Sequence, residues 1–394
     1  MNKNKRIYLD YAAATPIDER VGVAMTQAWA EFANPDTPYQ EGRSASAALE
    51  QAKKQIGNLL SVRTDEIYIT SGATESDNLA ILGAVRPHVR AGAHVITVAT
   101  EHKSVLTPIH QLERESARVD YARVDSGGVV DLDDLTDKIG DSTVLVSVAY
   151  ASSEIGTIQP LAKIGTIIKK VRESRVKQGN ATPLFLHSDC SATVGLLPLS
   201  PARLGVDLLT LTGSKIYGPH TGVLYVRQGV AHMLQPLTFG GGQQKGLRPG
   251  REDVASTVGL ALALEIAEGM RASEVERLTT LRNRLLHEVQ QLSPTCLLNG
   301  SPTHRIANNL NITLPGFNGE DLVAHLDARG IAIATGAACA AADEVPSHVL
   351  LAIGRTADEA QSSLRITLGR QTTGEQIDRF LLIYKQVLAR LATI

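Results

Sequence analysis

Short apolar runs alternate with amphipathic helical patterns through the first two-thirds of this 394-residue chain. The strand-like runs are residues 67–70, 94–99, 144–149, 184–187, 207–212 and 223–226. Several of them are apolar almost throughout, which is typical of strands that are covered on both faces. The stretches between them, such as residues 44–60, repeat apolar side chains at spacings of three and four, which predicts helices. This alternation predicts an α/β fold with a mainly parallel sheet.

The last third of the chain follows a different pattern. Long helical patterns cover residues 254–270 and 274–292, followed by a strand-like run at 309–313, a helix over 319–328, a strand-like run at 363–368 and a final helix from near Thr373. Thr373 and Gln376 have the spacing of a capping box. We therefore predict a large α/β domain that ends near Gly259, followed by a smaller α+β domain.

Charge and composition exclude several classes of protein. The chain has 39 Lys and Arg against 41 Asp and Glu, and its formal charge of −2 provides no basic field for nucleic acid or anionic lipid. No apolar run approaches the ~18–20 residues that span a bilayer, and no signal-peptide pattern is visible. Three cysteines cannot form a disulfide framework, which favours a reducing cytoplasm. Paired Cys or His spacings are absent, so we expect no metal site.

Small residues follow the strand-like run at 67–70. Residues 71–76 read Ser-Gly-Ala-Thr-Glu-Ser, and a helical pattern covers 74–84. A helix that begins there presents free N–H groups and the positive end of its dipole, which makes an anion site to which the Thr74 hydroxyl adds a donor. The alternative is a capped tight turn without a ligand. The spacings GxxxxGK[ST] and GxGxxG are absent, so a nucleotide is not the favoured anion.

Asp189 and Lys215 each follow a strand-like run. Asp189 comes after residues 184–187, and open α/β sheets bind ligands at the carboxyl ends of their strands. Its alternative role is a helix N-cap. Lys215 lies among small residues after 207–212, where burial would lower the pKa of its amine and make it a nucleophile. The alternative is a solvated loop lysine.

Cys339 and Arg365 are the candidates in the last third. Cys339 lies in a run of small residues, 335–342, that could present one thiol, although a free cysteine is often a small buried hydrophobe instead. Arg365 lies in an alternating pattern that places Leu364 and Ile366 on the opposite face of a strand. Its guanidinium could hold a carboxylate through two parallel hydrogen bonds, or it could be a surface residue.

The order and spacing of these features resemble the cysteine desulfurases, which are pyridoxal 5'-phosphate (PLP) enzymes of fold type I related to the class V aminotransferases. The resemblance covers nearly the whole chain. Its motifs lie at residues 8–13, 34–35, 42–43, 70–78, 101–104, 154–156, 215–219, 240–243, 246–248, 308–311 and 363–365. It implies a mostly parallel seven-stranded sheet in a large domain, residues 15–259. A smaller domain would be built from residues 1–14 and 260–394.

The resemblance also implies an activity and its partners. The expected reaction converts L-cysteine to L-alanine in a homodimer. Cys339 would attack the substrate sulfur and hold it as a persulfide, and the segment around it looks like the long-loop branch that serves iron–sulfur and tRNA sulfur delivery. A sulfur-acceptor protein, rather than nucleic acid or a membrane, would be the macromolecular partner.

The resemblance assigns further roles by position. Lys215 would carry PLP and move the Cα proton, Asp189 would pair with the pyridine nitrogen, and His102 would stack on the ring and relay a proton. Arg365 would clamp the substrate carboxylate. The remaining contacts implied for the cofactor and substrate are Ala73, Thr74, Thr212 and Ser214 at the cofactor, Arg251 at the partner's phosphate, and Ser153 near the substrate.

Several positions depart from the family pattern. Ala192 replaces a glutamine that bonds the cofactor's ring oxygen, Ser214 replaces a histidine, and Arg251 replaces a threonine. Ser152 and Ser153 replace paired asparagines. These changes keep open a different reaction in the same superfamily: a selenocysteine lyase, an aminotransferase or an epimerase. A non-catalytic scaffold for sulfur-pathway partners is a further alternative, against which the retained lysine, aspartate and arginine argue.

Overall fold

The structure is a computed structural model that describes residues 6–335 and 346–391. Its strands are β1 (Ile7–Tyr8), β2 (Ile67–Thr70), β3 (His94–Val98), β4 (Arg118–Ala122), β5 (Thr143–Ser147), β6 (Phe185–Asp189), β7 (Leu208–Thr212), β8 (Gly222–Val226), β9 (Leu297–Leu298), β10 (Asn309–Thr313), β11 (Ile331–Ala332), β12 (Ala334–Thr335) and β13 (Ser363–Thr367). Its helices are α1 (Glu19–Ala28), α2 (Gln40–Leu60), α3 (Ala73–Val85), α4 (Lys103–Arg114), α5 (Leu132–Lys138), α6 (Leu161–Gln178), α7 (Pro201–Leu204), α8 (Val254–Leu292), α9 (Gly319–Asp327), α10 (His348–Ala352), α11 (Ala357–Gln361) and α12 (Gly374–Leu391).

Within these ranges, the larger sheet has seven strands in the order β2-β8-β7-β6-β5-β3-β4. Only β8 runs antiparallel to its neighbours, so the predicted α/β fold with a mostly parallel seven-stranded sheet is confirmed. Every residue of β2, β3, β5, β7 and β8 is buried, which is why these strands are mostly apolar and show no alternation of polar and apolar residues. The edge strand β4 carries an exposed arginine and partly exposed polar residues, and its sequence pattern did not identify it.

The last third of the chain, together with β1, forms two smaller sheets. β9, β10, β12 and β13 make an antiparallel sheet in the order β12-β13-β10-β9, and β1 pairs in parallel with β11. Leu9 and Phe380 belong to one hydrophobic cluster with the inner residues of β10 and β13, so the N-terminal segment packs against the C-terminal part of the chain. The composition of the smaller domain and its division from the larger one at residue 259 stay a prediction.

α8 is longer than the sequence pattern suggested. The helical patterns at 254–270 and 274–292 form one helix of 39 residues, which begins where Asp253 Oδ1 accepts a hydrogen bond from Ser256 N. The predicted capping box of α12 is present, because Thr373 and Gln376 exchange backbone-to-side-chain hydrogen bonds of 3.3 and 3.2 Å. In the described ranges, no helix combines the length and apolar character needed to cross a bilayer.

The topology of the larger sheet fixes where a site can form. β3, β5, β6 and β7 are parallel to one another, and β2 runs in the same direction because two antiparallel pairings through β8 restore it. The carboxyl ends of all five strands therefore meet at one edge of the sheet, which is where ligands bind in open α/β folds. Helices α3 and α4 begin at this edge.

Candidate active site

A cavity of about 800 Å³ opens at the carboxyl edge of the larger sheet. The predicted site residues that line it are Ala73, Thr74, His102, Ser153, Asp189, Thr212, Ser214, Lys215 and Arg365. Arg251 is exposed and lies outside this cavity, so its contact with a partner's phosphate stays a prediction. Cys339 lies outside the described residues. The structure thus brings together residues that are almost 300 positions apart in the sequence.

The amino end of α3 forms one wall of the cavity. Its N-cap is Gly72, which supplies no side-chain hydrogen bond to the first turn, so the amides of Ala73 and Thr74 are available to a ligand. A Cβ at Gly222 would lie 2.5 Å from the carbonyl carbon of Gly72, so only glycine lets β8 approach this turn so closely. Free amides at the positive end of a helix are a site for a phosphate group.

Asp189 is the last residue of β6 and is largely buried. Its Oδ1 accepts a hydrogen bond of 2.8 Å from Ser191 N. Burial raises the pKa of the carboxyl group to about 7, and the negative charge of Asp77 contributes in the same direction. An ionised carboxylate here requires a positively charged partner. A protonated pyridine nitrogen is such a partner.

Lys215 ends a short 3₁₀ turn, Gly213–Lys215, that directly follows β7. Its Nζ donates hydrogen bonds of 2.6 Å to the carbonyl oxygens of Ala12 and Ala13, which hold the amine at the cavity wall. A Cβ at Gly213 would lie 2.4 Å from the carbonyl oxygen of Pro219, so the turn is tight enough to require glycine. The amine is available to bond a carbonyl carbon of a ligand.

Thr212 and Ser214 add hydroxyl groups beside the lysine. Thr212 Oγ1 donates to the carbonyl oxygen of Thr221 at 3.2 Å and lies 3.3 Å from Ser214 Oγ. Ser214 therefore replaces the family's histidine with a smaller donor that still lines the cavity. The amides of α3, the Asp189 carboxylate and the Lys215 amine match the phosphate, ring nitrogen and aldehyde that PLP carries, so the residues present fit this cofactor.

His102 is the N-cap of α4, and its Nδ1 accepts a hydrogen bond of 3.1 Å from Ser104 N. The imidazole ring faces the cavity, and the cavity walls surround it. Desolvation by these walls lowers the pKa of the imidazole, and the positive charges of Lys215 and Arg365 act in the same direction. A largely neutral histidine at neutral pH can accept as well as donate a proton.

Arg365 is buried in β13, and one nitrogen of its guanidinium group already donates a hydrogen bond within the protein. Its Nη2 donates a hydrogen bond of 3.0 Å to Asp10 Oδ1, in an ion pair that the sequence analysis did not anticipate. Within the described part of the chain, Nε has no hydrogen-bond partner. A substrate carboxylate at this site would therefore meet a guanidinium whose charge Asp10 partly balances.

Two glutamates of the cavity wall, Glu101 buried and Glu154 half-buried, were also missed as candidates. Glu101 Oε1 accepts a hydrogen bond of 2.6 Å from Ala149 N, and burial raises the pKa of this carboxyl group well above its usual value. Burial raises the pKa of Glu154 to about 7, and the Ser347 hydroxyl donates a hydrogen bond to its Oε1. Both lie inside motifs of the resemblance, but nothing in the local sequence signals that they are buried.

Two of the departures from the family pattern lie on a shared wall. A smaller cavity of about 70 Å³ adjoins the large cavity. Four residues line both cavities: Ala12, Ser153, Ala192 and Lys215. Asn308 also lines the smaller cavity, and its Oδ1 lacks a partner among the described residues. Longer side chains at 153 and 192 would narrow the opening between the two cavities.

Comparison with known proteins identifies a family over almost the whole chain. The sequence profile of the family described as aminotransferase class-V matches residues 7–380. The chain is 41% identical over 386 residues to cysteine desulfurase IscS 1 of Archaeoglobus fulgidus, and the aligned region covers 98% of this chain and 97% of that protein. It is 38% identical over 392 residues to cysteine desulfurase IscS of Dictyoglomus turgidum, and the aligned region covers 99% of this chain and 96% of that protein.

Solved structures lead to the same family. A NifS-like protein matches with a TM-score of 0.89 and 32% identity, covering 98% of this chain and 99% of its own. SspA in complex with cysteine matches with a TM-score of 0.77 and 30% identity, covering 92% of this chain and 98% of its own. The predicted resemblance is thus confirmed in both sequence and fold. The chain belongs to the aminotransferase class-V family, and the full-length relatives compared with it are cysteine desulfurases.

Proposed function

We propose that this protein is a PLP-dependent enzyme that converts L-cysteine to L-alanine and holds the sulfur as a persulfide on Cys339. The observation that carries the proposal is the meeting of the α3 amides, Asp189, Lys215 and Arg365 at one cavity. The full-length similarity to cysteine desulfurases supports the choice of reaction. Similarity to a protein solved with cysteine supports the choice of substrate.

The chain's own residues would hold PLP from three sides. The amides of Ala73 and Thr74, with the hydroxyls of Thr74, Thr212 and Ser214, would bind the phosphate. Asp189 would accept a hydrogen bond from the protonated ring nitrogen, and Lys215 would bond the aldehyde carbon. The chemistry that PLP supplies when bound is the withdrawal of electrons from the Cα of the amino acid.

Substrate binding and proton transfer fall to neighbouring residues. Arg365 would bind the carboxylate of cysteine beside Asp10, and Lys215 would exchange the Cα proton. His102, which lines the same cavity, would relay a second proton. Cys339 would attack the substrate sulfur as a thiolate, so that an S–S bond forms while the Cβ–S bond of the substrate breaks. The proton that left the thiol would end on Cβ, which becomes the methyl group of alanine, so the Cys339 sulfur is oxidised as Cβ is reduced.

The proposal includes three statements about the surroundings of the enzyme. It acts as a homodimer, in which Arg251 of one subunit reaches the phosphate of the other. It works in the reducing cytoplasm, because a persulfide and a free thiol persist there. An acceptor protein takes the sulfur from Cys339 for iron–sulfur cluster, tRNA or related sulfur transfer.

An assay of alanine and sulfide formed from L-cysteine tests the activity. Lys215→Ala should abolish both products, because it removes the amine that holds PLP. Cys339→Ala should retain the visible absorbance of bound PLP but lose sulfide release by more than about 10²-fold, since no thiolate attacks the sulfur. Cys296→Ser, which changes a buried cysteine away from the cavity, is the matched control and should remain active.

The same assay separates the alternatives. Full sulfide release by Cys339→Ala would contradict the role of this cysteine. Transfer of an amino group to a keto acid without release of sulfide would favour an aminotransferase. The altered positions Ser153 and Ala192, which line both cavities, are the reason to consider this alternative. A protein that gains no visible absorbance on addition of PLP would favour the non-catalytic scaffold.

A further inference from the structure

A second histidine lines the large cavity. His348 is the first residue of α10, and it lines the cavity together with Pro346 and Ser347. Its Nε2 lies 2.9 Å from the carbonyl oxygen of Glu101. Because a carbonyl oxygen can only accept a hydrogen bond, Nε2 carries the proton of the ring. In the neutral ring Nδ1 then keeps its lone pair, and it forms no hydrogen bond with another described residue.

His102 offers the cavity the other kind of nitrogen. Its Nδ1 accepts the hydrogen bond of 3.1 Å from Ser104 N, so in the neutral ring the proton is on Nε2. The nitrogen that bonds no described residue is therefore a donor in His102 and an acceptor in His348. A thiol that loses its proton in this cavity finds a lone pair on His348 but none on neutral His102.

We propose that His348 is a catalytic residue that accepts the proton of the attacking thiol and passes it on to Cβ of the substrate. The proposal rests on the proposed function, in which Cys339 attacks as a thiolate. The thiol proton moves to His348 Nδ1 as the S–S bond forms. The electron pair of the breaking Cβ–S bond stays on Cβ and takes this proton, so His348 ends the reaction neutral. A histidine beside a thiol is a common way to activate a cysteine nucleophile.

The described residues on both sides of the cysteine segment end at the same cavity. Cys339 itself lies outside the described residues. On one side of it, Ala334 pairs in register with Arg365, which lines the large cavity. On the other side, Pro346 lines the cavity directly before Ser347 and His348. The base that we propose therefore stands where the chain that carries the thiol rejoins the cavity wall.

The charged groups around the two rings favour His348 as the group that takes the proton. Desolvation is the main cause of the lowered pKa of His102, and a positive charge on His348 lowers it further. His102 therefore stays neutral while His348 is protonated. On the α10 side, Glu154 accepts a hydrogen bond from the Ser347 hydroxyl. The other charged groups that act on His102 are Asp77, Lys215 and Arg365.

His348→Gln in the PLP-loaded protein tests the proposal. Glutamine keeps an N–H group for the Glu101 carbonyl but takes up no proton at neutral pH. Mass spectrometry of Cys339 in a single turnover with L-cysteine measures persulfide formation. The variant should form the persulfide about 10- to 30-fold more slowly at pH 7, because only about 3% of a thiol with a pKa of ~8.5 is ionised without a base.

A second reading separates catalysis from structure. Exchange of the Cα proton of L-alanine in deuterium oxide requires PLP and Lys215 but no thiol, so His348→Gln should exchange it at the wild-type rate. The persulfide deficit should also shrink to within about threefold at pH 9.5, where most of the thiol ionises without help. A residue that merely held α10 in place would show the same deficit at both pH values.

His287→Gln is the matched control, because it changes an exposed histidine of α8 that does not line the cavity. It should equal wild type in both readings. The proposal would be overturned if His348→Gln formed persulfide as fast as wild type at pH 7, kept the same deficit at pH 9.5, or lost alanine exchange. A wild type that exchanges the Cα proton but forms no persulfide would contradict the proposed function itself, and the role of His348 with it.

Discussion

Glu154 illustrates how strongly a single position in this cavity depends on its surroundings. Its side chain is largely buried, and its Oε1 accepts a hydrogen bond from Ser347, whose hydroxyl also caps α10. Its backbone oxygen accepts hydrogen bonds from the amides of Asn309 and Asn311, at 3.2 and 3.1 Å. The carboxyl group is therefore held in place while burial disfavours its ionised form.

The raised pKa of Glu154 predicts a stability that falls with pH. The folded-state pKa is about 7 and the ordinary value is 4.5. Between these values the folded protein binds more protons than the unfolded chain, so the free energy of unfolding decreases as pH rises. Glu154→Gln cannot ionise and should lack this decrease. The free energy of unfolding of the variant relative to wild type should therefore rise from pH 5 to pH 8 by at most about 3 kcal/mol.

Urea denaturation at the two pH values measures this difference. Glu276→Gln changes an exposed glutamate on α8 and serves as the control, because a solvated carboxylate gains nothing from neutralisation. The contributions of Glu101 and Asp189 remain in both proteins and cancel in the comparison. A difference between Glu154→Gln and wild type that stays constant from pH 5 to pH 8 would contradict the prediction.

The cavity residues on or just after strand-like runs were predictable from the sequence, whereas contacts that depend on packing between distant segments were not. Asp189 and Lys215 each come at or soon after the end of a mostly apolar run, so their place at the sheet edge was predictable from the local pattern. The ion pair between Asp10 and Arg365 joins residues 355 positions apart. The contact of Asp77 with Ser104 depends on how two helices pack, and neither residue carries a local signal of that contact.

At the scale of elements, the contact between β8 and the turn before α3 positions the helix amides. A Cβ at Gly222 would lie 2.5 Å from both the Gly72 carbonyl carbon and Thr70 Oγ1. Gly222→Ala should therefore push β8 and the turn apart and destabilise the fold by about 1–3 kcal/mol. Because the amides of α3 move with the turn, the concentration of PLP needed for half-saturation should also rise. Urea denaturation and titration of the visible absorbance measure the two effects.

Gly140 provides the matched control for this variant. Among the described residues, no atom outside its immediate chain neighbours lies within 4 Å of a Cβ built there, and its backbone is not in the left-handed region. Gly140→Ala should therefore leave both stability and PLP affinity close to wild type. If Gly222→Ala lost stability but bound PLP as well as wild type, the turn would not control the position of the amides.

Element boundaries were predictable where the pattern was strong and local. β2 was predicted at its observed bounds, because its four residues are all buried and the chain turns sharply after them. α8 was predicted as two helical patterns, since Arg271 and Ser273 interrupt the apolar pattern without interrupting the helix. The order of the strands in the sheet was not accessible, because it depends on pairings between runs that are far apart in the sequence.

At the scale of the whole molecule, three large aromatic side chains are exposed on the surface of the single subunit. Trp29, Phe32 and Phe239 are 64%, 78% and 81% exposed. The hydrogen bond between Gln243 Nε2 and Asp36 Oδ2, at 2.9 Å, brings the segments after Phe32 and Phe239 close together. Large apolar side chains exposed on a surface mark sites of association. These three side chains support the proposed homodimer, and Phe239 precedes Arg251 on the same stretch of the chain.

Sedimentation equilibrium should therefore give a mass of two chains for wild type. Phe239→Glu places a charge in the proposed interface and should shift the protein towards one chain at micromolar concentration, since burying an unpaired charge is costly. Val176→Glu, at a position 80% exposed on α6, is the matched control and should remain a dimer. If Arg251 reaches the partner's phosphate, Phe239→Glu and Arg251→Ala should both weaken PLP binding, whereas Val176→Glu should not. A dimeric Phe239→Glu with unchanged PLP affinity would exclude this surface as the interface and leave Arg251 without the proposed contact.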